Sequence, residues 1–312
     1  MFRSSRHVRV IHALLWLACA SVPVHAQTPD DGIMLARREF LTGTSYSHDS
    51  WDQYWEGTLR RRNGNIGTIT TQTNVFSANY GLANRLNVIA MVPYVRTSAS
   101  QGVLHGIQGL QDLTVAAKLN AFERSFASAG SLRAIGVLSA GVPLTDYNPE
   151  LLPLSIGLGS TRVSWRGTLH YQSTPGWFLT GSTAYAWRSQ VRLDRPYFYT
   201  NDEFVMSDQV DMPNALELAW TGGYLRRGLM AAISLSHQKT LGGGDIRRQD
   251  MPFVSNRMDF ARLGAMVMYP VPHLRTLGIQ FGVAHTFSGR NVGQATAVTT
   301  GLQYVFNGEP IQ

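Results

Sequence analysis

The chain has 312 residues, of which 44% are hydrophobic, 10% aromatic and only 15% charged, against roughly 25% charged in soluble domains. Mean hydropathy is −0.09, so the apolar residues are dispersed rather than gathered in blocks. Beyond the N-terminus no apolar run approaches the ~18 residues of a spanning helix, which leaves strands whose apolar and polar faces alternate.

The N-terminus carries an export pattern. Arg3, Arg6 and Arg9 form a basic region, Val10 to Ala20 an apolar core, and Val24-His25-Ala26 a small-residue cleavage site. Residues 1–26 therefore read as a secretory signal used by the Sec translocon. The only cysteine, Cys19, lies within it, so the mature chain has neither a disulfide framework nor a thiol nucleophile. The formal charge is +7, and loss of the signal leaves 24 basic residues against 20 acidic ones. Lys118 and Lys239 are the only lysines. The arginines are scattered rather than striped, which argues against a nucleic-acid partner, and they suit phosphates of lipopolysaccharide or an anion-attracting lumen.

A short periplasmic lead is expected over 27–34, followed by a transmembrane β-barrel over 35–306 and a periplasmic tail over 307–312. The clearest strand is 161–172. Val163, Trp165, Gly167, Leu169 and Tyr171 share one face, and Arg162, Ser164, Arg166, Thr168, His170 and Gln172 the other, a period of two. Residues 112–120 and 277–288 repeat the pattern. The whole chain reads as an all-β fold, an antiparallel barrel of about 12 strands near 35–47, 64–80, 85–97, 109–123, 131–142, 158–173, 177–190, 211–225, 229–239, 256–270, 275–288 and 295–306. Connections after even-numbered strands are tight (81–84, 174–176, 226–228), and those after odd-numbered strands are long and polar (48–63, 143–157, 191–210, 240–255). That sorting belongs to outer-membrane barrels, with short periplasmic turns and long extracellular loops. Tyr80, Tyr171, Trp177, Tyr224, Tyr269 and Tyr304 fall beside the turns, and Tyr185 and Trp187 near the outer ends, as interfacial aromatics do.

The last strand, Thr299 to Phe306, resembles the signal read by the barrel-assembly machinery. Thr299 is its polar position, Gly301 its glycine, and Tyr304 and Phe306 its aromatics.

Alternation also nominates the lumen. Lys118, Arg162, Arg166, His170 and Arg188 point inward, with Asp112 and Glu217 as the few acidic partners. Unneutralised, they form an anion-preferring constriction; bridged by Glu217, they form a plug. His285-Thr286-Phe287-Ser288 is the one pattern close to a lipase pair, but three residues separate His285 from Ser288, and period two sends them to opposite faces unless a bulge intervenes. No catalytic residue is assigned. Gly242-Gly243-Gly244-Asp245 with Asp250 is a weak cation pattern, best read as a surface loop, and no metal or cofactor is expected. The loop from Arg192 to Asp211, rich in Tyr197, Phe198, Tyr199 and carboxylates, suits a gate or a packed lid.

Several segments resemble the outer-membrane family named for the meta pathway of phenol degradation, whose members are described as transporters. The carriers are Tyr80-Gly81-Leu82-Ala83-Asn84-Arg85-Leu86, Val92-Pro93-Tyr94-Val95, Gly109-Leu110-Gln111-Asp112-Leu113, Gly141-Val142-Pro143-Leu144 and Gly157-Leu158-Gly159-Ser160. The resemblance implies a barrel passing small, aromatic molecules, and the inward basic residues add anionic ones. The expected function is a channel for small solutes in the outer membrane, surrounded by lipid and lipopolysaccharide. The alternatives are a lipid-modifying enzyme and a closed structural or surface-binding barrel.

Overall fold

A computed structural model describes residues 28–200, 202–247, 253–272, 274 and 276–306. The expected signal (1–26), with Cys19, and the expected tail (307–312) lie outside the described residues.

Twelve long strands form the wall: β1 Phe40–Trp51, β2 Ile69–Ala83, β3 Leu86–Ala99, β4 Asp112–Phe126, β5 Gly130–Pro143, β6 Arg162–Ser173, β7 Trp177–Arg188, β8 Asn214–Arg226, β9 Leu229–Leu241, β10 Asp259–Pro270, β11 Leu277–Arg290 and β12 Thr296–Phe306. Each pairs antiparallel with its neighbours in sequence, and β1 pairs with β12 from Phe40↔Phe306 to Ser50↔Thr296, closing the ring. Closure leaves no open sheet edge, which hydrocarbon would not tolerate. Turns as short as two residues join the strands at one end, and longer loops at the other carry short hairpins such as Gln53–Glu56 with Leu59–Arg62.

The outer face is the apolar one. Trp165, Leu169, Leu179, Trp220, Ile233, Leu263, Ile279 and Phe281 are all exposed, a distribution that suits lipid and not water. Tyr80, Tyr171, Trp177, Tyr269 and Tyr304 are exposed beside the tight turns. Trp177 meets Tyr224 edge-on at 5.3 Å. On β12, Tyr304 and Phe306 face outward in T-shaped contact at 4.5 Å.

Two expectations need correction. The first strand begins at Phe40 rather than 35, and the residues before it do not form a periplasmic lead. They run inside the barrel. Ile33 packs with Phe178, Leu225, Met230, Ala232 and Met268, on β7 to β10. Met34 packs against Ile89, Ala116, Ile135 and Val137, on β3 to β5. Leu35 packs with Leu41 and Val305, on β1 and β12. Three successive apolar side chains thus reach nearly the whole circumference. Ile33, Met34 and Leu35 are all apolar, and inside the barrel each meets apolar side chains that the wall strands turn inward.

Two glycines allow this close approach. A Cβ on Gly32 would lie 2.1 Å from the His170 ring, and one on Gly81 would lie 1.8 Å from the Ala36 carbonyl oxygen. Arg38 N donates to Gly81 O at 2.7 Å, and Gly81 N donates to Glu39 O at 2.9 Å, so the segment is tied to β2 as it leaves for β1.

Candidate functional site in the barrel lumen

The six charged or titratable side chains expected in the lumen all lie on inward faces. The register explains how they meet. Asn87, Lys118, Val137, Arg166, Ala184, Glu217 and Gln238 form one line of directly paired residues across β3 to β9. Ala184, buried and small, separates Arg166 from Glu217, and two long side chains can bridge over it. Arg166 Nη2 donates to Glu217 Oε2 at 2.8 Å, and Arg162 Nη2 donates to Glu217 Oε1.

The N-terminal segment supplies the remaining counter-charges. Lys118, fully enclosed, places Nζ 2.6 Å from Asp31 Oδ1 and donates to Thr28 O at 2.8 Å. Arg166 Nε lies 3.0 Å from Asp30 Oδ1. Ile33 N donates to Asp31 Oδ1 at 2.8 Å, which fixes the carboxylate for Lys118. His170 sits 2% exposed with Nδ1 2.7 Å from Thr180 Oγ1, under Gly32. The unneutralised cationic array expected from alternation is therefore not what forms. Glu217, Asp30 and Asp31 balance it, because charges inside a barrel wall have little water to screen them.

Arg188 is the exception. It is the direct cross-strand partner of Arg162, and its guanidinium donates to Pro213 O at 3.2 Å. None of the ion pairs among the described residues includes it. A second inward pair, Arg262 with Asp49 at 2.7 Å, spans β10 and β1. Sequence reasoning missed it, as it missed Asp30 and Asp31, although two adjacent carboxylates just after the expected export signal were there to be read.

Loops roof the other end. Asp112 accepts from the Tyr147 hydroxyl at 2.7 Å, and that hydroxyl accepts from Gly159 N at 3.1 Å. Burial pushes the Tyr147 phenol above its ordinary range, so it remains a donor. Tyr147 and Ile156 pack on Val95. Beneath this loop lies a chamber of about 270 Å³, with Arg162, Arg188, Glu217 and Gln238 on one side and Leu152, Ile156 and Leu158 on another. The loop around 192–211 forms a packed core instead of hanging free: Val191, Leu193, Phe198, Val210 and Met212 join Phe253 and Val254. Tyr197 and Tyr199 stay exposed.

The other candidates find different partners. Asp245 is gripped by Arg290 at 2.6 and 2.7 Å and by Asn291 at 2.9 Å, and Asp250 lies outside the described residues. The bulge between β10 and β11 does fall beside His285, where Arg262 pairs with Thr286 and Ala261 with Ser288. His285 nevertheless lies exposed, with Nδ1 2.8 Å from Thr296 Oγ1 and its other nitrogen near Gln294.

Comparison with known proteins agrees with this architecture. An outer membrane channel from Pseudomonas putida F1 superposes with a TM-score of 0.70 at 17% identity, covering 90% of this chain and 100% of that one. The translocator domain of autotransporter NalP from Neisseria meningitidis is more distant, with a TM-score of 0.44 at 10% identity and coverage of 89% and 91%. So is the beta domain of the Bordetella autotransporter BrkA, at 0.44, 12%, 86% and 100%. No curated protein sequence matches the chain. The family described as the MetA-pathway of phenol degradation matches residues 61–300, a span running from the first extracellular hairpin into β12. This outer-membrane β-barrel belongs to that family.

Proposed function

We propose that the chain is an outer-membrane channel for small solutes, closed from the periplasmic side by residues 28–39 and opened when they withdraw. The observation that supports this most is how the segment is held. Residues 28–35 meet the wall through side chains: Lys118 with Asp31 and Thr28, Arg166 with Asp30, and Asn87 with the Leu35 carbonyl. Such contacts can be exchanged for water or a passing anion without breaking the sheet. A withdrawing segment takes Asp30 and Asp31 with it. Lys118, Arg162, Arg166 and Arg188 then outnumber Glu217 and Asp112, so the open lumen prefers anions although the plugged one is balanced.

Planar-bilayer recording tests this. Discrete conductance steps are expected, with longer openings when Asp30→Asn and Asp31→Asn are combined. Open channels should show mild anion preference at low ionic strength, fading as salt approaches about 1 M and weakened by Arg162→Ala with Arg166→Ala. Silence from both the native and the double-asparagine protein would overturn the channel. Cation preference untouched by the arginine changes would overturn the charge assignment.

Export through the Sec translocon, with Thr299, Gly301, Tyr304 and Phe306 read by the barrel-assembly machinery, is the biogenesis that fits this reading. Lipid and lipopolysaccharide then surround the finished wall.

A further inference from the structure

We infer that the chamber beneath the 144–161 loop is a binding site for a small organic monocarboxylate with an apolar body. The inference rests on the channel reading only in treating this ligand as a solute on its way through.

The charge pattern leads there. Arg162 and Arg188 face each other directly across β6 and β7, and like charges in that position repel. One carboxylate, Glu217, is shared between Arg162 and Arg166, and Arg166 has Asp30 besides. Arg162 Nε is itself enclosed and without a hydrogen-bond partner, while the Arg162 side chain as a whole is 40% exposed, and Arg188 has the Pro213 carbonyl. Asp112, which also lines the chamber, is turned to Tyr147 at 2.7 Å. The two guanidiniums therefore offer donors to one further anion. A carboxylate suits them, because its two oxygens match the forked donors of arginine.

The remaining walls set the rest of the ligand. Leu152, Ile156 and Leu158 are apolar, and Gln111, Ser155, Ser160 and Gln238 add amides and hydroxyls. The volume of about 270 Å³ falls below the ~300–1,000 Å³ of pockets for drug-sized molecules. A short hydrocarbon body fits against Leu152, Ile156 and Leu158. The chamber lies between the loop roof and the charged line, so a solute from outside meets it before it meets the plug.

Titration calorimetry on the folded, detergent-solubilised barrel tests this without any ion flow, using hexanoate, hexanamide and hexylammonium as probes and heat-modifiability as the check of folding. Hexanoate should bind saturably and about tenfold or more tighter than hexanamide, the scale of one charge-assisted contact. Arg188→Gln should remove that difference, Arg188→Lys should keep part of it, and Ile156→Ala should weaken both probes alike. Equal binding of hexanoate and hexanamide, tighter binding of hexylammonium, or full hexanoate affinity in folded Arg188→Gln would each overturn the site. If Arg188→Gln does not fold, Arg188→Lys decides, with unchanged hexanoate affinity counting against. Hexanoate binding by a barrel silent in bilayers would keep the site and remove the channel; conduction without binding would do the reverse.

Discussion

The two ends of the lumen are closed by different physics. At the turn end, the segment that leads into β1 lays Ile33, Met34 and Leu35 against opposite walls and locks with two ion pairs. At the loop end, segments anchored at both ends share an apolar core of their own around Val191, Phe198, Val210 and Phe253. Residues 28–35 of the first closure meet the wall through wall side chains and share no sheet ladder with it. The second can leave only by unfolding loops. In the proposed channel, opening therefore belongs to the turn end, and the loop end shapes what is admitted.

The sharpest way to break this contrast is through the lock. Lys118 is 0% exposed and Asp31 23% exposed in their ion pair, so the two partners are not equivalent. Asp31→Asn strands an enclosed ammonium and should shift the open-to-closed ratio by about 3 kcal/mol, roughly 100-fold. Lys118→Met should shift it much less, since Asp31 keeps some water. Single-channel open probability measures both, and equal effects would deny that burial of Lys118 drives the seating.

Packing is the next lever. Ile33→Ala should loosen the plug by about 2 kcal/mol, the lower range for truncating a buried isoleucine, and raise open probability while leaving barrel melting unchanged. Ile156→Ala, on the loop side, should leave open probability alone. A reversed outcome would move the gate to the loops.

The smallest effect concerns the loop end alone. Arg290 holds the Asp245 carboxyl below its ordinary value of 3.8. A lowered folded value means the tie is intact at neutral pH and is lost as pH falls through that lowered value. Pepsin nicking between residues 242 and 258 should therefore rise only well into acid, and Arg290→Gln should move the rise toward pH 3.8.

The wall was legible almost strand by strand, because lipid and lumen enforce alternation on every strand that faces both. The first strand was misplaced by five residues for an instructive reason. Ile33-Met34-Leu35 breaks period two, but so does Leu229-Met230-Ala231-Ala232-Ile233 on β9, so the triplet alone does not separate a plug from a strand. The inward direction of Arg162, Arg166, His170 and Glu217 was also legible from parity. Their partnerships were not, since Arg166 reaches Glu217 only because two hairpin offsets bring Ala184 between them, and those offsets are set by turns whose geometry composition does not encode.

The line of paired residues from Asn87 to Gln238 also bears on how the barrel is put together. A slip of one residue at any seam from β3 to β9 would exchange the faces of a strand. Lys118 or Arg166 would then point into hydrocarbon, at about 2–4 kcal/mol near the bilayer midplane, and Glu217 would lose its arginines. The same side chains that balance the lumen would therefore penalise a misaligned seam while the sheet is being registered.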